Sequence, residues 1–169
     1  MEINARLNPA LTNIKPLNVA ITDEEADFFY HSSEASFNNG GNSRQDTDRH
    51  GRFALSTKVK GIVLERFLLE NYPGSMPKLA LIKIDTEGYD KEIIKSIRGL
   101  LEKNKPVVIS VCFSKTTPEE RAEHFNLLAG IGYTLYHIEG FRADTPVVKI
   151  EKPEDMNRWK HFDFYAIKE

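Results

Sequence analysis

Cysteine is almost missing from this chain. Its 169 residues include one, Cys112, so no internal disulfide can form and paired-thiolate zinc sites are excluded. Cys112 falls within Val107-Val108-Ile109-Ser110-Val111-Cys112-Phe113, where a small buried thiol is expected rather than a nucleophile. Neither sign of charge is in excess. The 23 basic and 25 acidic residues leave a net charge of −2, without the basic surplus or stripe of a nucleic-acid binder. No apolar run approaches the roughly 20 residues that span a bilayer, and the first residues show no signal-type apolar core. One thiol and no leader pattern make a reducing cytoplasm the expected location. What remains, 40% apolar and 28% charged residues, is the composition of a globular protein. The length predicts a single domain over residues 1–169 with a core of its own.

The most informative segment is Leu79-Ala80-Leu81-Ile82-Lys83-Ile84-Asp85-Thr86-Glu87-Gly88-Tyr89-Asp90. An apolar run stops at two carboxylates and a glycine, and a helical pattern follows. Such a run reads as a strand buried on both faces. Ligands of open α/β sheets sit beyond the carboxyl ends of these strands, which places Asp85 and Glu87 on a functional rim. The same residues also admit a structural reading, in which Asp85 or Thr86 caps the next helix and Glu87 complements its dipole.

Leu17–Ile21 reads as a strand, with Ala26–Tyr30 as its hairpin partner across Asp23-Glu24-Glu25. His31 to Arg52, rich in Asn, Gly and Ser, reads as a long loop. Phe53–Val59 is a short strand candidate, and Leu64, Phe67, Leu68 and Asn71 share one helical face that Tyr72-Pro73-Gly74 ends. Ile93, Ile94, Ile97, Leu100 and Leu101 mark a second helix, closed by Pro106, and Val107–Phe113 a second buried strand. Thr117-Pro118-Glu119-Glu120 is a strong helix start. Tyr133–Ile138 and His161–Lys168 complete the strands, with Trp159, Phe162 and Phe164 assigned to the core. Strands alternating with helices predict a mostly parallel, doubly wound sheet, and the last two strands an antiparallel pair at its edge.

The stretch Ile82-Lys83-Ile84-Asp85-Thr86-Glu87-Gly88-Tyr89-Asp90 resembles the "IKID-x-EG-x-E" signature of the FkbM family of S-adenosylmethionine-dependent methyltransferases. Asn18-Val19-Ala20-Ile21-Thr22-Asp23 is similar to the family's third strand, and Gly132-Tyr133 to the start of a late one. The resemblance implies a Rossmann-like methyltransferase sheet, S-adenosylmethionine as cofactor, and O-methylation of a small-molecule or glycan acceptor at a hydroxyl on a sugar, lipid or small natural product. It also exposes two departures. Ile109-Ser110-Val111-Cys112 stands where the family usually carries a glutamate. The family's first two strands and glycine-rich turn have no counterpart, since Gly40-Gly41 follows a polar stretch instead of a buried strand. A sheet lacking those strands leaves the Leu79–Ile84 strand with an open edge, to be covered by rearrangement, an oligomer or a partner.

Methyl transfer from a sulfonium is a direct displacement, so positioning dominates and a carboxylate can take the acceptor's proton. Asp85 and Glu87 are the catalytic candidates, and His50 in the polar stretch is a further base, with a solvated loop as its structural alternative. The resemblance implies cofactor contacts from Asp23 and Asp85; Asp23 also reads as a turn residue. His137 lies near a strand end that can face the pocket, whereas His31, His124 and His161 lack a partner at metal-ligand spacing. Two carboxylates make only part of a hard-cation site, so a divalent metal is not expected. Two rival readings stand beside the enzyme: a catalytically inactive methyltransferase-like binding module or N-terminally truncated fragment needing a partner, and a metal-dependent transferase using Asp85 and Glu87.

Overall fold

Two separate sheets take the place of the single sheet expected from the sequence. The computed structural model describes residues 2–7, 13–32, 40–43, 53–54, 58–86, 88–140, 142 and 144–169. After an exposed helical turn, α1 (Glu2–Ala5), the first sheet assembles from β1 (Val19–Ile21), β2 (Asp27–Ser32), β3 (Gly40–Ser43), β4 (Phe53–Ala54) and β5 (Val59–Ile62). β1 and β2 are not hairpin partners. β5 lies between them, parallel to β1 and antiparallel to β2. Asp23-Glu24-Glu25 lacks the tight two-residue turn chemistry that would close a hairpin. Gly61 of β5, meanwhile, accommodates the Phe28 ring where any Cβ would overlap it. The predicted loop from His31 to Arg52 is also corrected, because β2 extends to Ser32 and Gly40–Ser43 pairs antiparallel with it. The Phe53–Val59 strand resolves into β4, which pairs with β2, and the start of β5.

The second sheet runs in the order β6 (Leu81–Lys83), β7 (Val107–Cys112), β10 (Phe162–Ile167), β8 (Thr134–Ile138), β9 (Val147–Ile150). Only β6–β7 is a parallel pairing; β10 is antiparallel to both neighbours and β9 to β8. A mostly parallel sheet is therefore not what forms. β6, β7 and β8 do run in one direction, as crossover helices require. β10 follows β8 and β9 without such a helix and enters reversed, between β7 and β8 rather than at the edge. The edge belongs to β9, which the sequence pattern did not reveal.

Helices α2 (Leu64–Asn71), α3 (Asp90–Ser96), α4 (Arg98–Asn104) and α5 (Pro118–Ala129), with 3-10 turns at Pro73–Lys78 and Pro153–Asn157, supply the other layer. The Ile93-to-Leu101 stripe breaks at Ile97 into α3 and α4, yet Ile93, Ile94, Ile97, Leu100 and Leu101 all join one core. They meet Val108 and Cys112 of β7, Phe162, Phe164 and Ala166 of β10, and Leu135 of β8. α5 starts as its sequence predicts, with Thr117 and Glu120 forming a reciprocal capping box, a device that contributes about 1 kcal/mol. The opposite face of this sheet is more open. Leu81 is 53% and Val147 48% exposed, and Tyr136 and Tyr165 stack at 5.0 Å across neighbouring strands. β6, expected to be buried on both faces, is an edge strand with its core side alone covered. Among the described residues, no helix is long and apolar enough to cross a membrane.

Arg121 of α5 pins the C-terminal region. Its buried guanidinium donates to the carbonyls of Met156 (2.8 Å), Trp159 (2.6 Å) and Lys160 (2.6 Å), and more weakly to Phe113 and Thr116 at 3.4 Å. All five N–H donors of an arginine are thus directed at backbone. Replacing Arg121 by Met keeps the apolar stem and orphans those acceptors, so urea unfolding is expected to show a loss of about 3 kcal/mol or more. A loss below 1 kcal/mol would mean water satisfies them equally well.

Candidate active site

Asp85 follows directly from the geometry of β6. Extended pairing persists one residue beyond that strand, as the Ile84 amide donates to the Ile109 carbonyl at 2.8 Å. Asp85 then lies two residues beyond Lys83, on the same open face. Lys83 Nζ donates to Asp85 Oδ2 at 2.8 Å, both side chains about half exposed. This bond to Asp85 raises the lysine above its ordinary value, with burial acting against it. An exposed pair of this kind contributes little stability, and among the described residues it leaves Asp85 Oδ1 open to a ligand.

The helix-cap alternative for Asp85 and Thr86 is not realised. α3 begins at Asp90, behind Tyr89, with no side-chain cap. Thr86 instead donates its hydroxyl to Asp90 Oδ2 at 2.9 Å, and the Gly88 amide reaches the same oxygen at 3.3 Å. Gly88 has φ +113°, a conformation that favours glycine and accounts for Gly88 in the motif. The other oxygen, Asp90 Oδ1, accepts from Ser110 Oγ at 3.1 Å and from the Val111 amide at 3.4 Å. Ser110 Oγ lies 3.2 Å from His124 Nε2. Asp90, Ser110 and His124 are 1%, 0% and 3% exposed. Lys91 beside them is engaged with Glu123 at 2.8 Å and Glu120 at 3.6 Å. Sequence reading missed this buried cluster: an acid at the start of a helix ordinarily faces solvent, and only its place after a buried strand hinted otherwise.

Asp23 comes to the same rim. It lies just past β1, held there by the Thr22 amide on the Ile62 carbonyl at 3.0 Å. The Tyr89 hydroxyl donates to Asp23 Oδ1 at 3.5 Å. One tyrosine thus links the end of β1 in the first sheet to the turn after β6 in the second. Glu87 and His50 lie outside the described residues.

His137, expected to face a pocket, is instead a core residue. It stacks on Trp159 at 3.8 Å with the rings 3° from parallel, and its Nδ1 is buried without a partner. Burial lowers it below the ordinary histidine value. Cys112 is buried as anticipated, and burial raises its thiol. Two surface hollows, about 250 Å³ beside Phe125, Tyr133 and Lys149 and about 300 Å³ beside Glu25 and Lys60, include neither Asp85 nor Asp23 in their linings. Among the described residues, no three His, Cys, Asp or Glu side chains converge as metal ligands.

Residues 2–142 match the family described as the Methyltransferase FkbM domain. The chain belongs to the FkbM methyltransferase family. No curated protein and no solved structure matches it. In the FkbM signature, Asp85 and Gly88 occupy the acid and glycine positions, and Asp90 the position of the final glutamate.

His124 generates a prediction. The Asp90 carboxylate only accepts, so Ser110 donates to it and accepts from His124, which assigns the Nε2–H tautomer. Burial takes His124 down to about 4, against the opposing pull of Asp90, with Lys91 reinforcing and Glu123 opposing. Between that value and the ordinary one near 6.5, the unfolded chain binds a proton that the folded chain refuses. Stability is therefore expected to fall as pH drops across that interval, and His124→Gln to flatten this limb of the profile. Ring nitrogen NMR that finds a protonated imidazolium at pH 6 would refute the assignment.

Proposed function

We propose that this chain is an S-adenosylmethionine-dependent methyltransferase that acts on a hydroxyl of a sugar, lipid or small natural product. The observation that carries the reading is the Tyr89–Asp23 contact at 3.5 Å, which sets the ends of β1 and β6 at one rim within a family-matched chain. Asp23 and Asp85 are exposed carboxylates with acceptor capacity left over. They fit the nucleoside half of the cofactor, Asp23 toward the adenine amino group and Asp85 toward the reacting end. The methionine half calls for backbone donors from a glycine-rich turn, a role that Gly40 and Gly41 do not fill because they form β3.

When bound, S-adenosylmethionine supplies the methyl group. The protein's own work is to hold the acceptor hydroxyl in line and to take its proton as the oxygen attacks. Asp85 is the first candidate for that base, Glu87 the second, and His50 a third. Lys83, paired to Asp85 at 2.8 Å, orients that carboxylate.

S-adenosylmethionine at a hundred times its dissociation constant is expected to stabilise the fold by about 2.7 kcal/mol, a rise of roughly 5–10 °C in Tm for a domain of this size. Asp85→Asn should keep the fold and lower methyl incorporation from labelled cofactor roughly 10²- to 10⁴-fold. A flat thermal profile at millimolar cofactor, with no methyl transfer to any hydroxyl acceptor, would return the chain to the binding-module class.

A further inference from the structure

The proposed chemistry leaves Asp90 without a task, yet its carboxylate is buried and fully engaged. Its two oxygens serve two different elements. Oδ2 holds the turn after β6 through Thr86 and Gly88, while Oδ1 is held by Ser110 and Val111 of β7. The turn cannot shift without breaking the first pair of bonds, nor β7 without breaking the second. His124 closes the arrangement from α5. By occupying the Ser110 lone pair at 3.2 Å, it leaves the serine proton directed at Asp90.

We infer that Asp90, backed by Ser110 and His124, is a positioning residue: a buried brace that sets the turn from Thr86 to Tyr89, and with it the acidic end of β6, for methyl transfer. The inference rests on the methyltransferase reading of that rim for its purpose, but not for its geometry. Three elements meet at one carboxylate, and the turn they hold also carries Tyr89, the link to Asp23. Glu87, a candidate base, falls between two residues anchored on Asp90 in the sequence.

The test uses Asp90→Asn, Thr86→Val and Thr86→Ser in the full chain, read by amide hydrogen exchange and by calorimetric titration with S-adenosylmethionine. An asparagine can offer an acceptor to only one of the two sides. Asp90→Asn is expected to speed Gly88 amide exchange roughly tenfold or more, while the Leu101 and Val108 amides keep their protection. Thr86 is exposed, so Thr86→Val removes one of the four donors to Asp90 without opening the core and should fold with a moderately lowered Tm; it should speed Gly88 exchange in the same direction and weaken cofactor binding about five- to tenfold. Thr86→Ser restores the hydroxyl and should return both readouts to wild type, and adding Thr86→Val to Asp90→Asn should cost little more than Asp90→Asn alone. Unchanged Gly88 exchange and affinity in Thr86→Val would overturn the inference, as would protection lost evenly across the core in a folded Asp90→Asn. Should Asp90→Asn not fold, the Thr86 pair decides. Should the wild type bind no S-adenosylmethionine, the methyltransferase reading fails, and Gly88 exchange still reports separately on the brace.

Discussion

A carboxylate taken out of water costs several kcal/mol unless donors replace its hydration. Asp90 is buried at 1% exposure and forms no ion pair among the described residues. Its burial is compatible with folding only because Thr86, Gly88, Ser110 and Val111 all point at it. Those donors lie on a turn and a strand far apart in sequence, so their geometry must form together with the packing around them. The same register turns Ile93 and Ile94 of α3 into the core. One polar contact thus aligns the helix, the strand and the acidic turn.

The second constraint is how the second sheet is covered. Its core face meets α3, α4 and α5, and its other face keeps Leu81 and Val147 half exposed. The strand that carries the signature is one of the two edge strands, with its outward hydrogen-bonding groups unpaired among the described residues. Exposed edges of this kind are templates for further pairing. The acidic end of β6 is held along one edge by β7, through the Ile84 amide on the Ile109 carbonyl, and beyond that pairing by the buried Asp90 cluster.

Much of this was legible in the sequence, for identifiable reasons. The α5 start could be read because Thr117, Pro118 and Glu120 each act locally. The helical stripe from Ile93 to Leu101 was legible as periodicity, but not the break at Ile97, which the pattern passes through unchanged. β2 was recognisable as a strand, but β5 was not, since the expected Phe53–Val59 strand meets it only at Val59; nor was their partnership, because pairing between distant strands depends on fit, here Phe28 over Gly61. β9 was invisible because its edge position leaves Val147, Val148 and Lys149 exposed, without an apolar alternation. At the rim, Asp85 and Asp23 could be read from strand ends. His137 could not be placed, since its ring serves as an apolar plate against Trp159. Asp90, Ser110 and His124 stayed hidden because three polar residues spread over 34 positions carry no pattern until the chain folds.

The account depends on the ends of β1 and β6 forming one surface, joined through Tyr89 and Asp23. The most direct test is a titration of the isotope-labelled chain with S-adenosylmethionine, followed by backbone amide NMR. The account predicts that Asp23 and Gly88–Asp90 shift together along one saturation curve, with Phe125 and Lys149 at the far hollow unmoved. Shifts confined to only one of the two strand ends, or centred on that hollow, would contradict it.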